Sequence, residues 1–296
     1  MSESIIKAGR IMIRIISDST CDLSRELIER YGITILPLHI LLGEEEFEDG
    51  TGITPDEIYK WSDIHDDTPK TSAPSIDSAV KIMKPYIDQG DELICFCISE
   101  SMSTSGNIMR LAADELDAED RVTVINSKNL SGGIGLLAIE ASIMAREGKP
   151  VSEIVGSIEQ LKKMVRTSFV VDTMTYLRRG GRCGSVAALA GSALKLHPEI
   201  IVADGAMHVG KKYRGKMDKV IPKYIKDLEG DLREARKDRV MMVHSGCSED
   251  ILSDVREYLE DLAVFDEILE LRAGGVISSH CGPGTLGVLF LSGKQE

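Results

Sequence analysis

Aromatic residues are scarce in this sequence. Phe, Tyr and Trp together make up 4% of the 296 residues, whereas 43% of all residues are hydrophobic. The core must therefore be built mainly from Ile, Leu, Val, Ala and Met side chains. A ligand cavity inside such a core is aliphatic, and its walls offer few rings on which bases or sugars could stack.

Positive charge is also in short supply. The chain carries 35 Lys and Arg against 48 Asp and Glu, a net charge of −13 at pH 7. This balance argues against general nucleic-acid binding, which requires a basic surface. No apolar run approaches the roughly 18–20 residues of a membrane span, and residues 1–10 are too short and too polar for a signal peptide. We therefore expect a cytoplasmic protein.

The sequence has no recognisable catalytic or cofactor motif. A G-x-S-x-G elbow, a P-loop, H-E-x-x-H and a G-x-G-x-x-G after the first strand are all missing. The six cysteines form no C-x-x-C pair, so we interpret them as small core residues, with a zinc site or a disulfide as the alternative. We expect no metal and no cofactor, and a binding protein is favoured over an enzyme.

Strands alternating with helices predict the fold of the first half. Apolar runs of strand length, beginning with residues 11–16, alternate with helical segments up to about Arg146. We expect one strand over 33–42 with Pro37 at an edge or bulge, and a solvated turn over 43–52. This pattern predicts an N-terminal α/β domain with a parallel, doubly wound sheet.

The pattern changes near residue 165. Short strands then alternate with longer helices, including helices over about 185–195 and 216–237. The second half is therefore predicted to be an α+β domain with a mostly antiparallel sheet. We divide the chain into a flexible leader (1–10), an N-terminal domain (11–165) and a C-terminal domain (166–296).

Two clusters of small hydroxyl residues follow strands of the first domain. Residues 71–75 read Thr-Ser-Ala-Pro-Ser, and residues 103–106 read Ser-Thr-Ser-Gly. Hydroxyls combined with the unpaired N–H groups at a helix N-terminus make a cradle for a small anion. Either cluster alone could equally be a helix cap. Because the two occur at successive strand-to-helix junctions, we expect them to hold one carboxylate together.

A basic segment and a histidine turn are further candidates. Residues 178–216 contain eight Lys and Arg against two acidic residues, a local charge of +6. This favours docking of a phosphate-bearing ligand or an acidic partner, although a solvated basic turn is the alternative. His280 precedes a Gly-Pro-Gly turn, where an imidazole can pair with a carboxylate or phosphate or can simply be satisfied within a loop.

Taken together, these segments resemble the DegV family of bacterial fatty-acid-binding proteins over about residues 13–292. The resemblance rests on an ordered series of motifs that starts after the first strand. These motifs are S-D-S-T (17–20), P-L (37–38), D-G (49–50), T-S-A-P-S (71–75), I-S (98–99), Y-L-R-R-G-G-R (176–182), R-G (214–215) and H-C-G-P-G (280–284).

The resemblance implies a two-domain protein that is not itself an enzyme. A long-chain fatty acid such as palmitate would lie in a tunnel between the domains, with its carboxylate on Thr71 and Ser103. We also expect Ser72 and Thr104, the neighbouring members of these segments, to bind the carboxylate. The resemblance places two further residues near the head group. These residues are Arg182 and His280.

Some members of the family present the acid to an ATP-dependent kinase that forms an acyl phosphate. The resemblance implies that Arg214 would dock this kinase, and we expect Arg178 and Arg179 of the basic segment to take part in the docking. The family's S-G-T-Y segment reads Ser-Thr-Ser-Gly at 103–106, and its K-P segment reads His-Pro-Glu at 197–199. Two alternatives stay open: an enzyme acting on phosphorylated small molecules through the 178–216 basic face and His280, and a purely structural or regulatory module.

Overall fold

The computed structural model describes residues 11–181 and 196–294. A parallel sheet lies in the first half of the chain, with strands β1 (Ile13–Asp18), β2 (Ile33–Leu36), β6 (Glu92–Cys97) and β7 (Val122–Asn126). Their spatial order is β2-β1-β6-β7, and every neighbouring pair is parallel. The chain reverses its winding direction between β1 and β6, and the carboxyl ends of these two strands border the crevice where such sheets bind ligands. The predicted N-terminal α/β architecture is confirmed.

Helices connect these strands, and their ends follow local capping rules. Ser24 accepts a hydrogen bond from the Leu27 N–H at the start of the first helix, which closes at Gly32 with φ of 65°. The helices of this half are α1 (Arg25–Tyr31), α2 (Pro55–His65), α3 (Ile76–Asp88), α4 (Ser105–Glu115), α5 (Gly132–Arg146) and α6 (Val151–Met164).

A small antiparallel sheet separates β2 from α3. Its strands are β3 (His39–Leu42), β4 (Glu45–Glu48) and β5 (Lys70–Ser72), in the order β4-β3-β5. The prediction of one strand over 33–42 is therefore wrong, because the chain leaves the parallel sheet before Pro37, which has no N–H for a ladder. The prediction of a solvated turn over 43–52 is also wrong in part, since this segment contains β4.

The second half of the chain forms a six-stranded sheet. Its order is β10-β9-β8-β13-β11-β12, and only the pair β11–β12 is parallel. The predicted mostly antiparallel sheet is confirmed, whereas the division of the chain at residue 165 stays a prediction. The strands are β8 (Val165–Val170), β9 (Leu196–Ala203), β10 (Ala206–Arg214), β11 (Ala235–His244), β12 (Ile268–Arg272) and β13 (Leu286–Ser292).

The helices of this half differ from expectation in two places. The predicted helix over 216–237 is wrong at its end, because β11 begins at Ala235, where the backbone pairs with Ser292 of β13. The segment around His280 is helical rather than a loop. The predicted helix over 185–195 lies outside the described residues. The described helices are α7 (Thr175–Arg179), α8 (Met217–Asp227), α9 (Glu229–Arg233), α10 (Glu249–Asp261) and α11 (Gly275–Cys281).

Helix α5 lies between the two large sheets and joins their cores. Ile134, Leu136 and Ile139 are fully buried, as expected for a helix that is apolar on all sides. One hydrophobic cluster extends from Phe96 in the parallel sheet through α5 to Leu289 in the antiparallel sheet. A single hydrophobic core therefore connects the two large sheets. Within 11–181 and 196–294, no helix combines the length and hydrophobicity needed to cross a membrane.

Candidate functional site

A mostly apolar cavity of about 50 Å³ lies where the small sheet, the parallel sheet and α11 meet. Its aliphatic wall includes Leu38, Ile98, Leu130, Leu177 and Ile277, which come from both halves of the chain. Four hydroxyl or imidazole side chains interrupt this wall. They belong to Thr71, Ser72, Ser103 and His280.

Thr71 and His280 form a direct contact at the cavity. The distance between Thr71 Oγ1 and His280 Nε2 is 2.8 Å, although 209 residues separate them in the chain. Thr71 lies in β5 and pairs with Ile40 of β3, so the sheet register determines the direction of its side chain. His280 lies in the last turn of α11. Both side chains are only partly accessible, which gives the cavity one polar corner.

The first glycine of the pair after α7 makes room for this histidine. A Cβ atom on Gly180 would lie 2.3 Å from His280 Nδ1, closer than any real contact. The peptide at Gly180 can therefore approach the imidazole only because the residue has no side chain. The Y-L-R-R-G-G and H-C-G-P-G motifs thus meet at one place, and Leu177 of the first motif lines the same cavity.

Ser103 lies in the loop between β6 and α4, and a buried aspartate holds this loop. Asp18 Oδ2 accepts hydrogen bonds from the Ile98 N–H and from Ser105 Oγ, both at 2.8 Å. Burial raises the pKa of Asp18 above its ordinary value, while the hydrogen bonds oppose this shift. The aspartate of the S-D-S-T motif therefore supports the loop that carries Ser103.

A hairpin from the C-terminal sheet closes over the same loop. The turn between β9 and β10 places the carbonyl oxygen of Gly205 where Ser99 Oγ and Ser101 Oγ donate to it, at 2.6 and 2.5 Å. Met207, two residues further along, lines the cavity. We call this hairpin turn, residues 203–207, the strap. The strap joins the two halves of the chain beside Ser103.

A second cavity of about 30 Å³ continues the apolar wall into the antiparallel sheet. It shares Leu130, Ile277 and Cys281 with the first cavity and extends to Phe169 and Leu289. Burial raises the pKa of the Cys281 thiol to about 12, so this residue is an inert part of the wall. The two cavities together describe an aliphatic path from Thr71 towards β8 and β13.

The structure brings some predicted site residues to the cavity and places others elsewhere. Thr71, Ser72, Ser103 and His280 surround it, whereas Thr104 is exposed and does not line it. Arg182 lies outside the described residues, and so does Cys183. Whether any of these residues binds a ligand stays a prediction.

The predicted docking arginines lie on the surface. Arg178 and Arg179 are exposed on α7, and the Arg179 guanidinium reaches Asp66 at 3.4 Å. Arg214 is exposed at the end of β10. Part of the predicted basic face is also neutralised, since Lys211 pairs with Asp227 at 3.2 Å.

Sequence reasoning missed the strap and the residues that support α11. The strap carries a turn signal, Asp204-Gly205, but no feature of the sequence indicates that Ser99 and Ser101 bind it. For α11 the available signal was the pair Gly274-Gly275 at the start of the helix. Among the described cysteines none is in a disulfide, and no described His, Cys, Asp and Glu side chains form a group that could hold a metal.

Comparisons with known proteins extend over almost the whole chain. The DegV family model, described as that of an uncharacterised protein, matches residues 12–293. A DegV domain-containing protein of Clostridium perfringens is 30% identical over 279 residues, which cover 94% of this chain and 98% of the relative.

Solved structures agree with this assignment. A fatty-acid-binding DegV family protein from Thermus thermophilus matches with a TM-score of 0.87 at 28% identity, covering 95% of this chain and 100% of that one. A stearic-acid-binding protein from Eubacterium ventriosum matches with a TM-score of 0.82 at 29% identity, covering 95% and 99%. The resemblance of the sequence motifs is therefore confirmed, and this chain belongs to the DegV family.

Proposed function

We propose that this protein binds a long-chain fatty acid, with the carboxylate at Thr71, Ser103 and His280 and the hydrocarbon chain along the aliphatic path. The observation that carries the proposal is the polar corner in an otherwise apolar cavity, where Thr71 Oγ1 lies 2.8 Å from His280 Nε2. The two structural neighbours described above, whose names state fatty-acid and stearic-acid binding, support the same ligand class.

The hydrocarbon chain would supply most of the affinity. Burial of about 14 methylenes at ~0.8 kcal/mol each corresponds to a gross gain of about 11 kcal/mol, before the loss of ligand and side-chain freedom. The two cavities, of about 50 and 30 Å³, are much smaller than a typical ligand pocket of roughly 300–1,000 Å³. Binding would therefore require the side chains between them to move. Met102 and Met207 are suited to this because methionine is unbranched and adaptable.

The polar corner would hold the charged end. A carboxylate buried in an apolar site needs several donors, or it becomes neutral or leaves. In this arrangement the His280 imidazole would donate from Nε2 to Thr71 Oγ1, and the Thr71 hydroxyl would donate its own proton to the carboxylate. Ser103 would supply a second hydroxyl from the opposite segment. The aliphatic cavity favours this function over an enzyme that acts on phosphorylated small molecules.

Release of bound lipid tests the proposal. Purified protein should release a long-chain fatty acid on denaturation, detected by mass spectrometry, and added palmitate should raise the melting temperature of delipidated protein. The double variant with Thr71→Ala and Ser103→Ala should bind palmitate more weakly. If no fatty acid is released and palmitate does not change the melting temperature, the proposed function is wrong.

We further infer that the protein presents the bound acid to an ATP-dependent kinase. The support is the exposure of Arg178 and Arg214, which leaves two guanidinium groups accessible to an acidic partner. In a reaction reconstituted with such a kinase, Arg214→Glu should lower acyl-phosphate formation at least tenfold without changing palmitate affinity. Equal acyl-phosphate formation by the variant and the wild type would exclude Arg214 from docking.

A further inference from the structure

Two buried carboxylates lie beside the site without lining either cavity. Asp22 follows β1 and a short turn, and Asp49 follows β4. They are 6% and 4% exposed, so their oxygens are removed from solvent. Buried carboxylates are retained in a fold only where specific donors satisfy them. The groups that donate hydrogen bonds to Asp22 and Asp49 therefore indicate the structural role of these two side chains.

Both carboxylates accept hydrogen bonds from the beginning of α11. Asp22 Oδ1 accepts the Gly274 N–H at 2.8 Å, and Asp49 Oδ1 accepts the Gly275 N–H at 2.7 Å and the Val276 N–H at 3.3 Å. These are N–H groups that a helix leaves without internal partners. Contacts between a loop carboxylate and a helix of the other half of the chain therefore fix the position of the first turn.

The glycine at 275 permits this close approach. A Cβ atom there would lie 2.4 Å from Ile40 Cδ1 and 3.1 Å from Asp49 Oδ1. The first turn of α11 is thus pressed against β3 and against Asp49 at the same time. A side chain at 275 would require Ile40 or the helix itself to move.

Asp49 directly follows a strand of the small sheet that contains Thr71. The Asp49 N–H donates to the Leu38 carbonyl oxygen at 2.8 Å, and Thr71 pairs with Ile40 in the ladder β3–β5. At the other end of α11, His280 contacts Thr71. A helix of this length extends only about 10 Å, so a displacement of its first turn is transmitted to its last. Thr71 is therefore positioned by its own strand in the small sheet. His280 is positioned indirectly, because Asp49 beside this sheet binds the first turn of α11.

We propose that Asp49, assisted by Asp22, is the positioning residue of the head-group site, because it holds α11 where His280 and Thr71 are within hydrogen-bond distance. The inference rests on the proposed fatty-acid function and assigns the residues that set its selectivity for an ionised head group. Asp49 acts through the helix and does not itself touch the ligand.

The test compares palmitate with hexadecanol, which has the same tail and no charge. Dissociation constants for both probes are measured on delipidated wild type, Asp49→Ala, Asp49→Ser and Asp49→Asn. The matched control is Asp91→Ala. Asp91 is 2% exposed and, like Asp49, lines neither cavity, but its donors are the Met12 N–H at 3.0 Å and Arg14 Nε at 2.7 Å rather than N–H groups of α11.

We expect Asp49→Ala to lose at least tenfold in palmitate affinity and less than threefold in hexadecanol affinity. Asp49→Asn, whose amide oxygen can still accept the Gly275 N–H, should recover most of the palmitate affinity. Asp91→Ala should leave the ratio of the two constants unchanged. The imidazole signals of His280 in a ¹H–¹⁵N NMR spectrum should shift in Asp49→Ala and stay in place in Asp91→Ala.

Other outcomes would contradict either the positioning role of Asp49 or the proposed function. If wild type binds palmitate and both Asp49→Ala and Asp49→Ser keep its palmitate-to-hexadecanol ratio, the positioning role is wrong. If wild type binds neither probe, the proposed function itself is wrong. Should Asp49→Ala not fold, Asp49→Ser decides the question, because its hydroxyl leaves a smaller void but falls short of the Gly275 N–H; it should lose palmitate affinity selectively.

Discussion

The two hydroxyl segments that face the cavity are held in different ways. Thr71 lies in a strand, where backbone pairing with Ile40 directs its side chain. Ser103 lies in a loop, where the side chain of Asp18 holds the backbone through Ile98 and Ser105. Each segment also contacts the C-terminal half, Thr71 through α11 and the Ser103 loop through the strap. A ladder distributes its hydrogen bonds over several residues, whereas the loop takes two of its buried hydrogen bonds from the single carboxyl oxygen Asp18 Oδ2. The two segments should therefore respond differently to single substitutions.

The largest effect is expected at Asp18, which supports the Ser103 loop. Asp18→Ala leaves the Ile98 N–H, the Ser105 hydroxyl and the Thr20 donors without their acceptor. Unfolding in urea should show a loss of about 4 kcal/mol, because four donors lose their acceptor and each buried unsatisfied donor costs at least about 1 kcal/mol. Asp18→Asn, which keeps one acceptor oxygen, is the control and should lose less. A loss below about 1 kcal/mol for the alanine variant would show that the loop does not depend on this carboxylate.

The next effect is a pH dependence of stability that we expect from Asp22. This residue binds the start of α11, the helix whose His280 contacts Thr71. Burial raises the pKa of Asp22 to about 8 in the folded protein. Because the folded state then binds more protons than the unfolded state between about pH 4 and 8, the free energy of unfolding should fall as pH rises through this window. The slope from this group is at most about 1.4 kcal/mol per pH unit. Urea unfolding across this range should show a smaller slope for Asp22→Asn; an unchanged slope would remove Asp22 as the cause.

Palmitate affinity should separate the two segments directly. Thr71→Val removes the hydroxyl that contacts His280 and should weaken binding about tenfold, or about 1.4 kcal/mol. Ser103→Ala should weaken it about threefold, because the loop can bring other donors to the head group. Isothermal titration of delipidated protein gives both values.

The exposed neighbour Thr104 supplies the control for Ser103. Since Thr104 lines neither cavity, Thr104→Ala should leave palmitate affinity within twofold of wild type. A loss equal to that of Ser103→Ala would mean that the loop turns both hydroxyls towards the ligand.

The smallest effect is expected at the strap. The double variant with Ser99→Ala and Ser101→Ala removes both donors to the Gly205 carbonyl oxygen. The strap should then open more often, so palmitate dissociation, followed by stopped-flow transfer to an acceptor protein, should accelerate two- to threefold. Ser75→Ala at the N-cap of α3 is the control, because it removes a hydroxyl whose hydrogen bonds are to Ser78 and not to the strap. Equal rates in the strap variant and wild type would show that the strap does not control exit.

Much of the fold could be predicted from the sequence, since it follows from local chemistry. Strand and helix alternation identified the parallel sheet, and hydroxyl caps marked helix beginnings such as Ser75 before α3. The errors share a physical cause. β4 and the start of β11 are polar segments that are strands only because a partner strand pairs with them, and pairing is not visible in local propensity. The helix at His280 was missed because carboxylates distant in the chain, rather than its own residues, satisfy its first N–H groups.

The sequence by itself determined the ingredients of the site: an aliphatic core, small hydroxyls after two strands, glycine pairs and a single histidine before a Gly-Pro-Gly turn. Only the tertiary structure decided which of them meet. Thr71 and His280 come within 2.8 Å because Thr71 lies in the three-stranded sheet and α11, which contains His280, packs against this sheet. Contacts over more than 200 residues depend on sheet register and on buried hydrogen bonds such as those of Asp49, and these form only when the whole chain has packed.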